Sequence, residues 1–184
     1  MARSISPKHP LRRLFDALTQ KCFIERIGLA DFELTSYISG LLIDFLHVDD
    51  LYWLRDARGK RIYDVGEMLL EADQWRQAPG INYEREIRKH IGDYTLFMAG
   101  LFPESIDRKT VLDLDYFIDY IKAGKESYRY VAEHDSRAVH MRAPLFRKLS
   151  QQFEVCTLGL NFVKQELEVM QNPAYREMRD LLFE

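Results

Sequence analysis

Apolar residues recur close to every 3.6 positions along nearly the whole chain, and no segment shows the period-two alternation of a half-buried strand. The pattern predicts an all-α fold. Pro10 opens a helix to about Ile27, with Leu11, Leu14, Phe15, Leu18 and Cys22 on one side and Gly28 placed to stop it. Asp31 is positioned to cap a second helix to about Val48, whose apolar face is Leu34, Ile38, Leu41, Leu42 and Phe45. From Asp49 to Ile62 the pattern weakens around a charged turn at Gly59, and a short helix follows from about Tyr63 to Ala72. Pro79-Gly80 breaks the chain, Asn82 is a natural cap, and the next helix runs to Phe102, where Gly100 and Pro103 end it. After a loop through Thr110, Asp115 is expected to cap a helix to about His134. Asp135 to Pro144 connects to the longest predicted helix, Leu145 to Met170, and Asn172-Pro173 opens a terminal helix ending at Glu184. The expected architecture is a single-domain helical bundle of six or seven helices around a central helix at 82–102, with residues 1–9 as a flexible arm.

That central helix changes character along its length. It begins with Glu84, Arg85, Glu86, Arg88, Lys89 and His90 and is almost wholly apolar from Ile91 to Phe102. A helix that loses its polar face has entered the core. At 100° per residue, Ile87, Ile91, Tyr94, Met98 and Leu101 form the core stripe, and Glu86, His90, Asp93 and Phe97 run along one flank of it. A carboxylate at Asp93 must therefore find a partner or take up a proton. One reading makes this seam a proton-handling or metal-binding cleft, with His90 as base or ligand and Asp93 as its orienter or co-ligand. The other makes Asp93 a structural acceptor for His90 or for an Arg or Tyr of a neighbouring helix, an arrangement common in helical cores.

The helix expected at 115–134 carries Tyr116, Tyr120, Tyr128 and Tyr130, with Ala123, Gly124 and Ser127 on overlapping faces and Lys122, Glu126, Arg129 and Glu133 opposite. Small residues beside tyrosines either shape a ligand pocket or permit close helix approach with the hydroxyls at the polar rim of the core. Glu86, His90, Asp93, Tyr116, Tyr120 and Tyr128 together make up the candidate polar cleft.

Complete catalytic signatures are missing. There is no phosphate-binding Gly-rich loop, Cys-x-x-Cys, Gly-x-Ser-x-Gly or His-Glu-x-x-His. Asp44 and His47 repeat the spacing of His90 and Asp93, but a bundle-type di-metal centre uses paired Glu-x-x-His elements, and the chain has none. His134-Asp135 matches the dyad of metal-dependent phosphohydrolases, yet a helix end accounts for both residues, since a helix dipole favours His⁺ there and Asp begins a turn. Neither a metal nor a cofactor is expected.

The segment 145–170 has two apolar stripes. Leu145, Leu149, Cys156, Leu160, Val163 and Leu167 make the expected core face, and Val155, Leu158, Phe162 and Val169 make another, rotated roughly 120° from it with near-heptad spacing. Something must cover the second stripe. Either the terminal helix folds back on it, the simpler expectation for helices joined by a short turn, or a second subunit does so as a homodimer.

Bulk properties narrow the field. A 184-residue chain with 47% hydrophobic residues fits one domain that buries about 70% of its unfolded surface without help from a disulfide or metal. The 26 basic residues against 29 acidic ones leave a net charge of −3, which argues against nucleic-acid binding. Cys22 and Cys156 both lie among apolar residues and read as buried thiols in a reducing compartment. No apolar run reaches the length of a membrane span, and the N-terminus lacks a signal-peptide pattern, so a cytoplasmic protein with no membrane partner is expected.

The segments His90-Ile-Gly-Asp-Tyr-Thr-Leu-Phe-Met-Ala-Gly-Leu-Phe-Pro103 and Tyr116 through Tyr128 with Gly124 resemble a set of functionally uncharacterised bacterial all-helical proteins, over a stretch from Leu11 to about Leu167. The resemblance implies a bacterial origin and a compact helical domain, and it carries no catalytic residue onto this chain. The leading functional expectation is a non-enzymatic module that binds a protein partner or itself. The alternative is a small-molecule-binding protein or enzyme using His90, Asp93 and the tyrosine-rich helix.

Overall fold

The computed structural model describes residues 9–76, 83–109, 114–134 and 142–183, of which 107–109, 114–118 and 183 as backbone alone. Every regular element among them is helical, and their one departure is a single antiparallel bridge between Arg55 and Arg61. The fold is all-α, as the apolar period requires. No described helix is long and apolar enough to cross a membrane.

Local chemistry explains most of the boundaries. Helix α1 (Pro10–Lys21) starts where Pro10 has no amide hydrogen to lose and His9 Nδ1 accepts from Leu11 N at 3.3 Å. It passes into a wider π-helical turn, Cys22–Ile27, which ends at Gly28 in the left-handed region with φ 79°. Helix α2 (Phe32–Asp44) is capped by Asp31 Oδ1 accepting from Leu34 N at 3.1 Å. It stops four residues short of the expected Val48, because Phe45 leaves helical geometry while keeping its ring in the core, and Val48–Leu51 forms a separate short α3. The turn at Gly59 is organised by Asp56, whose Oδ1 accepts from Arg58 N and Lys60 N at 2.9 and 2.8 Å. Asp64 then caps α4 (Val65–Gln74) through Glu67 N at 3.0 Å.

Helix α5 spans Tyr83–Leu101, and its expected cap, Asn82, lies outside the described residues. Three later expectations need correction. The stretch read as a loop through Thr110 holds α6 (Pro103–Lys109), since a proline that stops one helix is equally suited to the first turn of the next. Helix α7 begins at Leu114, which puts Asp115 inside its first turn, and it runs to Glu133. The predicted 145–170 helix is two helices, α8 (Ala143–Gln151) and α9 (Phe153–Val169), parted at Gln152, which sits at φ −110° and ψ 24° with its N–H donating to Lys148 O at 2.8 Å. Helix α10 (Pro173–Phe183) starts at Asn172, whose Oδ1 accepts from Tyr175 N at 3.1 Å.

These elements gather into two compact units whose segments alternate along the chain. The first comprises residues 1–51, 97–113 and 154–184, and the second comprises 52–96 and 114–153. In the first, Phe23 lies against Gly159, Phe45 meets Phe97 edge-on at 5.2 Å, and Tyr175 stacks on Phe102 at 5.7 Å and 8°. Asp16 accepts a hydrogen bond from Ser39 across α1 and α2, and Lys164 Nζ bonds both oxygens of Glu104 at 2.9 Å. In the second unit the approach of α5 to α7 is set by glycine. A Cβ at Gly92 would stand 2.7 Å from the Tyr128 ring, and one at Gly124 would stand 2.3 Å from Thr95 Oγ1 and 2.6 Å from Phe153. Thr95 tolerates complete burial by donating back to Ile91 O at 2.6 Å.

Candidate functional site

Within the second unit, the core stripe of Ile87, Ile91 and Tyr94 is buried as the 3.6 period requires. Every residue from His90 to Phe102 is buried. Asp93, only 5% exposed, is held from two directions. Its Oδ2 accepts from Lys89 Nζ at 2.6 Å, one turn back on α5, and its Oδ1 accepts from Tyr128 OH at 2.8 Å, reaching over from α7. Charge-assisted bonds of this length offset the cost of taking a carboxylate out of water. The Lys89 side chain is 31% exposed against 6% for Asp93, so the pair is only partly removed from water.

His90 is equally buried and sits in an aromatic setting. Its ring is edge-on to Trp53 at 5.4 Å and tilted to Tyr94 at 6.1 Å. Trp53 meets Tyr83 at 6.1 Å, and Tyr83 meets Trp75 at 4.8 Å, both edge-to-face. These rings fill one another's faces, and Trp75 Nε1 donates to Glu71 at 3.0 Å. Of the other cleft residues, Tyr120 is buried, and Glu86 is exposed beside Arg85 at 3.3 Å. The Tyr116 side chain lies outside the described residues. The structure therefore joins Asp93 to Tyr128 and turns Glu86 outward, and α5 is otherwise covered over a wider arc than its apolar stripe alone indicates.

That wider arc holds a second cluster that the sequence reading assigned to a charged helix start. Glu84 and Arg85 are buried at 6% and 5% exposure. Arg88 links Glu84, at 3.7 Å, with Asp73 of α4, at 2.6 Å, and its guanidinium lies 5.3 Å from the Tyr130 ring centre. Burial, with the Glu84 carboxylate acting on it through both its acceptor character and its charge, pushes the Tyr130 phenol up to about 12. Arg85 lies over Phe146 of α8 at 5.8 Å. No sequence pattern marked these residues, since the partners come from three other helices.

The remaining candidates separate. Asp44 and His47 are both exposed, and His134 is exposed with its ring stacked on Tyr130 at 3.9 Å. Asp135 lies outside the described residues. Among the described residues no three His, Cys, Asp or Glu side chains are grouped to hold a metal ion. Cys22 and Cys156 are buried free thiols, and burial, with Asp31 and Glu154 nearby, pushes Cys156 up to about 12, far from a nucleophile's range.

On α9 the two stripes differ sharply. Cys156, Leu160, Val163 and Leu167 are buried, whereas Val155 and Leu158 are 38% and 50% exposed and Val169 is 83% exposed. Phe162 is half-buried beneath the Arg26 guanidinium, 4.3 Å from its ring centre. The expected cover by the terminal helix does not occur. Helix α10 spends Tyr175 on Phe102 and on Glu168, to which its hydroxyl donates at 3.1 Å, and Leu181 is itself exposed. No protein-family model, curated protein or solved structure matches this chain.

Proposed function

We propose that this protein is a non-enzymatic helical interaction module that engages a protein partner or a second copy of itself through the exposed face of α9. The observation that carries the reading is the solvent exposure of Val155, Leu158 and Val169 on one side of a helix whose opposite side is fully buried. Burying large aliphatic side chains is favourable by about 1.5–3 kcal/mol each, so a row of them left in water at heptad spacing favours association. The small-molecule alternative at His90 and Asp93 receives less support, because both Asp93 oxygens are engaged by Lys89 and Tyr128 and the neighbouring rings pack on one another.

Two measurements test it. A benzophenone side chain installed at position 158 should give a discrete photo-crosslinked adduct in expressing cells, and light scattering over a dilution series separates a second copy from another protein. Absence of any adduct, together with a concentration-independent monomer whose solubility Leu158→Glu leaves unchanged, would make the stripe ordinary surface and end the proposal.

A further inference from the structure

We infer that the second unit carries a binding site for a quaternary ammonium group, formed by the rings of Trp53, Trp75 and Tyr83 with Glu71 as counter-charge. The site shares no residue with the α9 face, so it goes beyond the interaction reading and stands independently of it. Tyr83 links the two indoles, meeting Trp53 at 6.1 Å and 76° and Trp75 at 4.8 Å and 75°. An edge-to-face contact hides one face of one ring and leaves the faces of the other uncovered, so steep contacts of this kind keep aromatic faces available to a further group. Trp75 is 36% exposed, and Trp53 and Tyr83 each keep part of their surface in water. The face of an aromatic ring carries the negative part of its quadrupole, indole most strongly, and attracts a cation within about 6 Å.

The charge around the rings is negative. Glu71 accepts from Trp75 Nε1 at 3.0 Å and lies close enough to Tyr83 to add to the effect of burial in raising its phenol. Glu67 stands one turn before Glu71 on α4, a helix with no Lys or Arg of its own, and among the described residues neither carboxylate is ion-paired. Like charges at that spacing repel, and a bound cation relieves the repulsion. The carbonyl end of α4, which Trp75 closes, adds the negative pole of the helix dipole. The arginines close by are turned to other groups, Arg88 bonding Asp73 at 2.6 Å and Arg76 acting on the Tyr130 phenol. Hydrogen bonding decides which cation fits. An ammonium or guanidinium brings N–H donors that ring faces satisfy poorly, and Glu71 Oε1 is already taken by the indole. A quaternary ammonium brings charge and methyl groups and no donor, which suits what the site offers.

Trp53 and Trp75 are the chain's two tryptophans, so intrinsic fluorescence reads the site directly. In the full chain, choline and tetramethylammonium should change tryptophan emission saturably at constant ionic strength. Both should bind at least tenfold more tightly than methylammonium or the neutral tert-butyl isostere of choline. In proton NMR the choline methyl resonance should move upfield through the ring currents. Glu71→Gln should weaken choline at least threefold and Trp75→Ala at least tenfold, and Leu70→Ser, at an exposed leucine of the same helix, should leave it unchanged. Circular dichroism checks that each variant folds, and Glu71→Gln, which keeps the side chain's shape and an acceptor for the indole, carries the test should Trp75→Ala unfold. Phosphatidylcholine vesicles distinguish the source. Co-sedimentation with them makes the ligand a lipid headgroup, binding of choline alone makes it a free solute, and either result upholds the site. An equal response to choline and its neutral isostere, no saturation up to about 100 mM choline, or choline binding indifferent to both Glu71→Gln and Trp75→Ala overturns the inference.

Discussion

Asp93 ties α5 to α7 through a buried carboxylate bonded at both oxygens. Replacing it by Ala removes the carboxylate that accepts from both the Tyr128 hydroxyl and Lys89 Nζ, so Asp93→Ala should destabilise by about 2–4 kcal/mol. Tyr128→Phe removes one bond to a charged acceptor and should cost less, about 1.5–3 kcal/mol. Urea denaturation of the two variants and their double mutant checks both the magnitudes and the coupling between them, and independent, additive effects would refute the pairing. Tyr130 offers a pH signature. Its phenol is raised from the usual 10 to about 12 in the folded chain, so the unfolded chain loses this proton first. The stabilisation it represents is complete below pH 10 and is lost as pH rises from 10 through 12. Tyr130→Phe should therefore make the melting temperature fall less steeply over that interval, although Cys156, also raised to about 12, keeps part of the slope.

At the scale of elements, two glycines should respond in opposite senses to the same change. A Cβ at Gly124 would meet Thr95 and the Phe153 ring at 2.3 and 2.6 Å, so Gly124→Ala should destabilise by about 1–3 kcal/mol through overpacking. At Gly40 in α2 the nearest atom is the end of the Arg12 side chain at 4.0 Å, so Gly40→Ala should stabilise by about 0.5–1 kcal/mol through helix propensity. Thermal melts of the pair decide it. The same scale shows what the sequence makes legible. Helix class, the caps at Asp31 and Asn172, the stop at Gly28 and the buried stripe of α5 follow from local chemistry written in a few adjacent residues. The break at Gln152 has no Gly or Pro at its position to announce it, and the cluster of Glu84, Arg85 and Arg88 depends on Tyr130, Phe146 and Asp73, which are distant in sequence. Asp93 was legible as a residue needing partners. That Tyr128 supplies one of them depends on the glycine-permitted approach of α5 and α7.

For the whole molecule, the alternating segments impose an order on synthesis. The second unit is complete in sequence once Phe153 has been made, whereas the first still lacks residues 154–184 at that point. A nascent chain therefore holds α1 and α2 with no α9 for Phe23 to pack on until residues 154–184 have been made. Ribosome-stalled chains ending far enough past residue 153 to clear the exit tunnel should protect 52–96 and 114–153 from protease while the N-terminal helices stay cleavable. Chains stalled far enough past residue 184 should then close off the sites in α1 and α2 last, although these emerge ahead of the second unit.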